Sequence, residues 1–204
     1  AKDGYNDKGK YYTDYIDLES FADQWLFYEL NEENSVNSSV YYYKDSDICG
    51  DGKLHASWPW DMEHSLAREG GAASSWFAAA SDLKPEGYWM QFYHHRDFAE
   101  AVYKEWMTKF VPALEKALNP ETGYDPDGIS SLDWYLGYYG TDAQINESRW
   151  NGSGFAEKLE KIRRIYTVRL DFLTEALGLY DTDYIYFYKE NGILYGVNAQ
   201  EESI

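Results

Sequence analysis

The sequence predicts an α+β fold that is mainly helical. Several segments place apolar residues at helical spacing, most clearly residues 155–177, where Phe155, Leu159 and Ile162 begin a series that continues to the segment's end. Two other regions each contain a pair of strand-like runs around turn residues, which is the pattern of a β-hairpin. Together these observations predict helices with two small antiparallel hairpins.

The helices are predicted from their spacing and from their end signals. Asp17 is expected to cap the first helix, over residues 18–30. Pro112 is expected to kink or restart a later helix, because proline lacks an amide donor and clashes with the preceding turn. The run Ser130-Ser131-Leu132-Asp133 resembles a capping box that opens a helix of about 131–149. The remaining helices are predicted near residues 75–80, at 88–94, from Asp97 to about Leu118, and at 155–177, ended by Gly178.

The strands are predicted where β-branched and aromatic residues flank turns. The first hairpin is expected to pair residues 40–44 with residues 53–58. The second is expected to pair residues 184–188 with 193–197 around Asn191-Gly192, a dipeptide that favours tight hairpin turns. Residues 31–39 are too polar for a core, and the glycine-rich residues 64–87 predict a mobile surface segment. The chain is thus divided into a lead-in (1–14), a main unit (15–180) and a hairpin extension (181–204).

The composition of the 204 residues excludes several classes of partner. The formal charge of −18 disfavours binding to nucleic acid, whose phosphates would be repelled, and to anionic membranes. No apolar run approaches the ~18 residues that a membrane-spanning helix requires. Cys49 is the only cysteine, so an internal disulfide is impossible. The 21 tyrosines and 8 tryptophans can pack a core, or they can stack on sugars at the surface.

The stretch from Ala56 to His64 is the first candidate for chemistry. Two tryptophans and a proline precede Asp61, and Glu63 follows two residues later. A carboxylate on a rigid turn after a strand suits a hard divalent cation, and Mg²⁺ takes few protein ligands beside substrate phosphates. The alternative is an ordinary surface aspartate in a turn beside packed aromatic rings, since short motifs often match by chance.

Other short motifs in the sequence are weaker. His95-Arg96-Asp97 spells the tripeptide of a protein-kinase catalytic loop, but the loop also needs an asparagine where this chain has Val102. Asp97 is better explained as the cap of the following helix. His64, His94 and His95 lack further histidine or cysteine partners at metal-ligand spacing.

Several segments of the chain carry a family resemblance through their order and spacing. They are Tyr15-Ile16-Asp17-Leu18-Glu19-Ser20-Phe21, Glu29-Leu30, Ser38-Ser39-Val40-Tyr41-Tyr42-Tyr43-Lys44-Asp45, Gly52-Lys53-Leu54 and Pro59-Trp60-Asp61-Met62-Glu63. Trp106, the Arg149-Trp150 pair and the long final helix continue the series toward the C-terminus. Over about residues 12–178, this order resembles the spore-coat-protein H (CotH) kinase-like family.

The resemblance implies an atypical kinase-like C-terminal lobe that transfers phosphate from ATP with Mg²⁺. Asp61 then occupies the metal-binding position, and Glu63 matches the acidic residue that follows it. Asn34, beside Glu33, aligns with the family's catalytic aspartate, although a neutral amide cannot accept the substrate's proton. Ser39 stands where many members carry a metal-binding asparagine, and its hydroxyl is a weak cation ligand.

The family's nucleotide-covering segment and phosphate-binding lysine align before Ala1. We therefore expect a kinase-like chain that is inactive by itself and belongs to the C-terminal part of a kinase acting on a protein substrate. One alternative is a degenerate relative, a pseudokinase that serves as an extracellular binding or structural module in a spore coat or a carbohydrate-degrading assembly such as a cellulosome. Another is a polysaccharide-binding module unrelated to kinases. The expected location is outside a bacterial cell or on a spore or cell surface.

Overall fold

The fold is α+β and mainly helical, with two separate two-stranded antiparallel sheets. A computed structural model describes residues 4–33, 40–66, 69–77, 88–150 and 154–198. Its helices are α1 (Leu18–Leu30), α2 (Tyr88–Tyr93), α3 (Arg96–Glu105), α4 (Val111–Leu118), α5 (Leu132–Trp150) and α6 (Phe155–Leu177). Its strands are β1 (Tyr42–Lys44), β2 (Leu54–Ala56), β3 (Tyr184–Glu190) and β4 (Ile193–Asn198).

Helix α1 lies at the centre of the core. Asp17 is its N-cap, as predicted, and the Asp17 carboxylate accepts a hydrogen bond of 2.9 Å from the amide of Ser20. This bond satisfies one of the amides that a helix leaves unpaired at its first turn. Most of the helix is buried, including Trp25, Leu26 and Tyr28, whose exposed fraction is zero. Residues of α1, α3 and α6 form one hydrophobic cluster.

The first hairpin packs on the N-terminal end of α1. Strands β1 and β2 pair antiparallel, with Tyr43 opposite His55, so the predicted hairpin is confirmed in a shorter form. The amide of Leu54 donates to the carbonyl of Tyr15 at 2.8 Å, and the amide of Asp17 returns a bond to Leu54 at 2.9 Å. Tyr42 stacks on Phe21 of α1, with ring centroids 5.3 Å apart. These contacts fix the direction in which the chain leaves β2.

The helix around Pro112 is interrupted where the sequence predicts a kink. A π-helical turn (Trp106–Phe110) separates α3 from α4, and Pro112 lies in the first turn of α4. A wider turn just before the proline removes the need for its missing amide to donate one turn back. Trp106 is fully buried there, and its indole nitrogen donates to Thr174 of α6 at 3.0 Å.

Two helix-end predictions are wrong in detail. The N-cap of α3 is His95 rather than Asp97. The Asp97 carboxylate accepts hydrogen bonds from the hydroxyls of Tyr12 (2.8 Å) and Tyr11 (3.2 Å). Gly178 does end α6, but it has a right-handed backbone conformation and not the left-handed one expected of a glycine C-cap.

Residues 69–77 correct the prediction of a mobile surface segment. Ala73 and Trp76 are fully buried, so this part of the chain belongs to the core. The helix predicted near 75–80 is absent over residues 75–77, where Ser75 forms a β-bridge with Tyr188. The rest of that predicted helix, residues 78–80, lies outside the described residues.

The second hairpin, β3 and β4, packs on residues 69–77. The amide of Trp76 donates to the carbonyl of Phe187 at 3.2 Å, and the amide of Lys189 donates to Ser74 at 2.6 Å. Phe187 is almost fully buried and stacks on Trp76 at 5.7 Å, while Trp76 contacts Trp25 and Tyr93 edge to face. The hairpin therefore shares one aromatic core with α1 and α2.

Within the described residues, every helix is too short or too polar to cross a bilayer.

Candidate functional site

The acidic turn, residues 61–66, follows the first hairpin. Asp61 is exposed and has a left-handed backbone conformation (φ 61°, ψ 52°), which aspartate tolerates better than most residues. A short 3-10 helix (Met62–His64) follows directly. The turn thus presents the Asp61 side chain at the surface rather than in the core.

Tyr28 of α1 contacts the residue that precedes the acidic turn, from the core side of the protein. Tyr28 is fully buried and makes a hydrogen bond with the backbone of Trp60, the residue before Asp61. Burial raises the pKa of the Tyr28 hydroxyl, and the bond with Trp60 offsets part of that rise. The position of Asp61 is therefore coupled to the core through its neighbour.

The other end of the acidic turn is bonded to the segment that follows α1. The hydroxyl of Ser65 donates to Glu33 Oε2 at 2.9 Å, and the amide of Leu66 donates to the carbonyl of Asn31 at 2.7 Å. Tyr166 of α6 donates to the Asn31 side chain at 2.8 Å. Asn31 and Glu33, at the start of the polar segment (residues 31–39), are therefore adjacent to the end of the acidic turn, although the first hairpin separates them in the chain.

The predicted site residues have different positions in this arrangement. Asp61 is exposed. Asn31 is buried and Glu32 and Glu33 are fully buried, so the prediction that residues 31–39 are too polar for a core is wrong over residues 31–33. The burial of Glu33 and its bond with Ser65 favour a structural part for Glu33 in holding the turn. The backbone of Glu63 lies in the 3-10 helix. Asn34 and Ser39 lie outside the described residues.

A buried ion pair fixes the C-terminal end of α1. Arg169 of α6 and Glu29 of α1 are both fully buried, and Arg169 Nη2 lies 2.6 Å from Glu29 Oε1. The same nitrogen donates to the backbone carbonyl of Glu29, while Nη1 donates to the carbonyls of Ala73 (2.9 Å) and Ser75 (2.6 Å). The amide of Phe77 donates to the Glu29 carboxylate at 2.6 Å. One arginine thus joins α1, α6 and residues 73–77 just before the polar segment.

Sequence reasoning gave no role to this ion pair. A signal was present, because Arg169 falls on the apolar face of α6, in helical register with the buried residues Ile165, Phe172 and Ala176. A lone charge on such a face requires a buried partner, since an unpaired buried charge is very costly. The sequence alone does not identify that partner.

Two other groups of described side chains have the composition of metal sites. Asp17, Asp51 and His55 place their ligand atoms within 4.8 Å of one another, and so do Glu19, Asp23 and Glu105. In the second group the ammonium of Lys109 lies 2.8, 2.8 and 2.7 Å from the three carboxylates, so a lysine already supplies the positive charge. In the first group, His55 bonds Asp51 at 3.0 Å and Asp17 already caps α1. Neither group carries a second indication of a bound ion.

Comparison with protein-family models, with curated proteins and with solved structures finds no significant match to this chain. The likeness to the CotH family therefore depends on the residues and the order of segments described above.

Proposed function

We propose that this chain is the C-terminal part of a CotH-type atypical kinase, whose intact parent transfers phosphate from ATP with Mg²⁺. The observation that supports the proposal is the bonding of the acidic turn to the end of α1, through Ser65 to Glu33 and Leu66 to Asn31. A kinase site needs its metal-binding carboxylate beside the loop that faces the substrate hydroxyl. The bonds of Ser65 and Leu66 bring the turn that carries Asp61 back to Glu33 and Asn31, which supports such an arrangement.

The residues at the turn suit Mg²⁺ better than a metal that requires a full protein cage. Mg²⁺ usually takes one or two protein carboxylates, with water and substrate phosphates completing its coordination. Asp61 offers an exposed carboxylate, and Glu63 and the Ser39 hydroxyl are the further candidates from the sequence. Bound Mg²⁺ would neutralise charge on the phosphates, which this chain, with a net charge of −18, would otherwise repel.

Proton acceptance is the step for which this chain is least suited. Asn34 aligns with the catalytic aspartate, and its amide has no basic group with which to take the acceptor's proton. Glu33 is buried and accepts a hydrogen bond from Ser65. We therefore expect this chain alone to be inactive and to contribute cation and phosphate binding.

Calorimetric titration with Mg²⁺ and ATP tests the proposal on this chain and on a version extended upstream in its parent. We expect binding only in the extended form, and the Asp61→Ala variant should weaken it about 10–100-fold, as loss of a metal-supporting residue commonly does. Asp142→Ala, which removes an exposed carboxylate from α5, is the matched control and should bind as wild type. Absence of binding in the extended form, or full binding by Asp61→Ala, would contradict the proposal.

A second candidate function is that of a catalytically degenerate module that binds partners outside the cell, in a spore coat or a carbohydrate-degrading assembly. The observation in its favour is the exposure of large aromatic rings, including Trp58 (86%), Trp150 (73%) and Tyr138 (64%). Clustered exposed rings, such as Tyr138 with Trp134 and Tyr139, often mark an interaction site. Failure of nucleotide binding in both forms of the chain, with retention on a polysaccharide column, would favour this function.

A further inference from the structure

A cleft of about 470 Å³ opens between α1 and the first hairpin. Its walls combine apolar and polar side chains from α1, β1, the turn after β2 and the π-helical turn. Glu33 and Asp61 are not among its described lining residues, although Trp58 and Pro59, which line it, lie shortly before Asp61 in the chain. Asp23, Gln24, Tyr43 and Lys109 also line the cleft.

Two exposed aromatic rings belong to the apolar lining of the cleft, together with Phe27, Ala56, Pro59 and Phe110. Trp58 is 86% exposed and Tyr43 is 51% exposed. Tyr43 stacks on His55 with the ring planes 15° apart, which fixes the orientation of its ring. The faces of aromatic rings carry partial negative charge. They therefore attract the weakly positive C–H groups on the flat side of a sugar ring.

Gln24 supplies an unsatisfied hydrogen-bond acceptor in the wall of the cleft. Only 4% of this residue is exposed, and its amide nitrogen donates to the carbonyl of Ser57 at 3.2 Å. That bond identifies the remaining atom as the carbonyl oxygen Oε1, which is buried and has no hydrogen-bond partner among the described residues. Buried acceptors are nearly always paired, so this oxygen requires a donor that the described part of the chain does not provide.

Asp23 supplies a second acceptor of the same kind. Its Oδ2 accepts a hydrogen bond from Lys109 at 2.8 Å, whereas its Oδ1 is buried and unpaired among the described residues. Burial raises the pKa of the Asp23 carboxyl, and Lys109 offsets part of that rise. Hydroxyl groups of a ligand are suitable donors for both Gln24 and Asp23.

The charge around the cleft selects against anionic ligands. Lys109 is the cation in its wall, and its ammonium is already shared by Glu19, Asp23 and Glu105 at 2.7–2.8 Å. A second ammonium, that of Lys104, lies 3.6 Å from Glu105, so three carboxylates face two ammonium groups and leave an excess of one negative charge. A phosphate or a uronic acid would be repelled there, whereas a neutral ligand rich in hydroxyls would not be.

We propose that this cleft binds a sugar ring of a neutral polysaccharide, stacked on Trp58 and Tyr43, with its hydroxyls donating to Gln24 and Asp23. Aromatic surfaces with a few oriented polar groups are the usual composition of small-ligand sites. The site does not depend on nucleotide binding at the acidic turn. The two proposals can therefore fail separately.

Affinity electrophoresis in native gels that contain hydroxyethyl cellulose, xylan or glucomannan tests this site. We expect at least one of these neutral polymers to retard the wild-type protein. Trp58→Ala and Tyr43→Ala should each raise the dissociation constant about 10-fold, a typical loss for one stacked ring. Trp58 is largely in solvent, so the Trp58→Ala variant should keep the wild-type circular dichroism spectrum and melting temperature. Tyr43 is half exposed, so Tyr43→Ala, which also loses the stack on His55, should keep the spectrum with a slightly lower melting temperature.

Two control variants show whether retardation depends on the cleft or on aromatic rings elsewhere on the surface. Trp150→Ala removes another exposed tryptophan, at the end of α5, and Tyr138→Ala disrupts the stack of Tyr138 on Trp134. Both should be retarded as wild type. The proposal is overturned if no neutral polymer retards the protein, if Trp58→Ala behaves as wild type, or if Tyr138→Ala alone abolishes retardation. Stronger retardation by polygalacturonate than by any neutral polymer would also overturn it.

Discussion

Arg169 and Glu29 place two opposite charges in the least exposed part of the molecule. Transfer of each charge from water is costly, and their attraction offsets more of that cost where backbone groups bond the remaining donors and acceptors. Here the carbonyls of Ala73, Ser75 and Glu29 and the amide of Phe77 provide such bonds, whereas Arg169 Nε is buried without a hydrogen-bond partner among the described residues. The pair therefore orients the end of α1, from which the polar segment leaves.

Replacing Arg169 with methionine should lower the free energy of unfolding by about 3–5 kcal/mol, because the Glu29 carboxylate would remain buried without its partner. Urea denaturation followed by tryptophan fluorescence measures the change. Arg164→Met is the matched control on the same helix. Arg164 pairs with Glu69 at 3.0 Å, but both side chains are largely exposed, so its loss should cost at most about 1 kcal/mol. Equal losses in the two variants would show that the buried pair has no special role.

Two aspartates show which contacts of a single residue can be predicted from local sequence. Asp17 and Asp97 both precede a helical pattern, but only Asp17 caps its helix. Capping by Asp17 uses an amide three residues away, which local sequence indicates. Asp97 instead bonds the hydroxyls of Tyr11 and Tyr12, more than 80 residues away, and no local pattern contains that pairing. Likewise, the sequence pointed to the acidic turn at Asp61 but not to the Tyr28 and Ser65 contacts that hold it.

In the second hairpin, too, local sequence predicts the turn but not the distant residues on which the hairpin packs. Its turn is local, and Asn191 and Gly192 adopt the positive φ angles of 51° and 79° that the Asn-Gly dipeptide predicts. Its packing is not local, because Phe187 contacts Trp76, which lies 111 positions earlier in the chain. The hairpin was therefore predictable, and the partner that covers it was not.

Phe187→Ala should destabilise the protein by about 3–5 kcal/mol, since it leaves a cavity beside Trp76 in the aromatic core. Thermal unfolding followed by near-ultraviolet circular dichroism, which reports on packed aromatic rings, measures the effect. Ile193→Ala is the control within the same hairpin. Ile193 is 57% exposed, so this change should stay within about 0.5 kcal/mol. A loss of less than about 1 kcal/mol for Phe187→Ala would show that the hairpin packs independently of the core.

Buried tyrosines make the stability of the whole molecule depend on pH in the alkaline range. Burial raises the pKa of Tyr12, Tyr28, Tyr93 and Tyr166, and for Tyr12 the nearby Asp97 carboxylate raises it further. A phenol with a raised pKa in the folded state keeps its proton more tightly there than in the unfolded chain. These groups therefore contribute full stability below pH ~10, and that contribution is lost progressively as the pH rises above the unfolded pKa.

Alkaline titration of tyrosinate absorbance should consequently resolve two classes of tyrosine in the native protein. Exposed rings should ionise near pH ~10, while the buried group should ionise only together with loss of the folded circular dichroism signal. In guanidinium the two classes should merge into one transition. A single reversible transition near pH ~10 in the native protein, with the fold retained, would rule out burial of these hydroxyls.

The distance along the chain between Glu29 and Arg169 has a consequence for biosynthesis. The two residues are 140 positions apart, so the carboxylate emerges from the ribosome long before its guanidinium partner is translated. Until α6 has been synthesised, the end of α1 has an acidic group that opposes its own burial. We therefore expect nascent chains that stop before α6 to remain incompletely folded around α1, and the acidic turn to become ordered only late in translation.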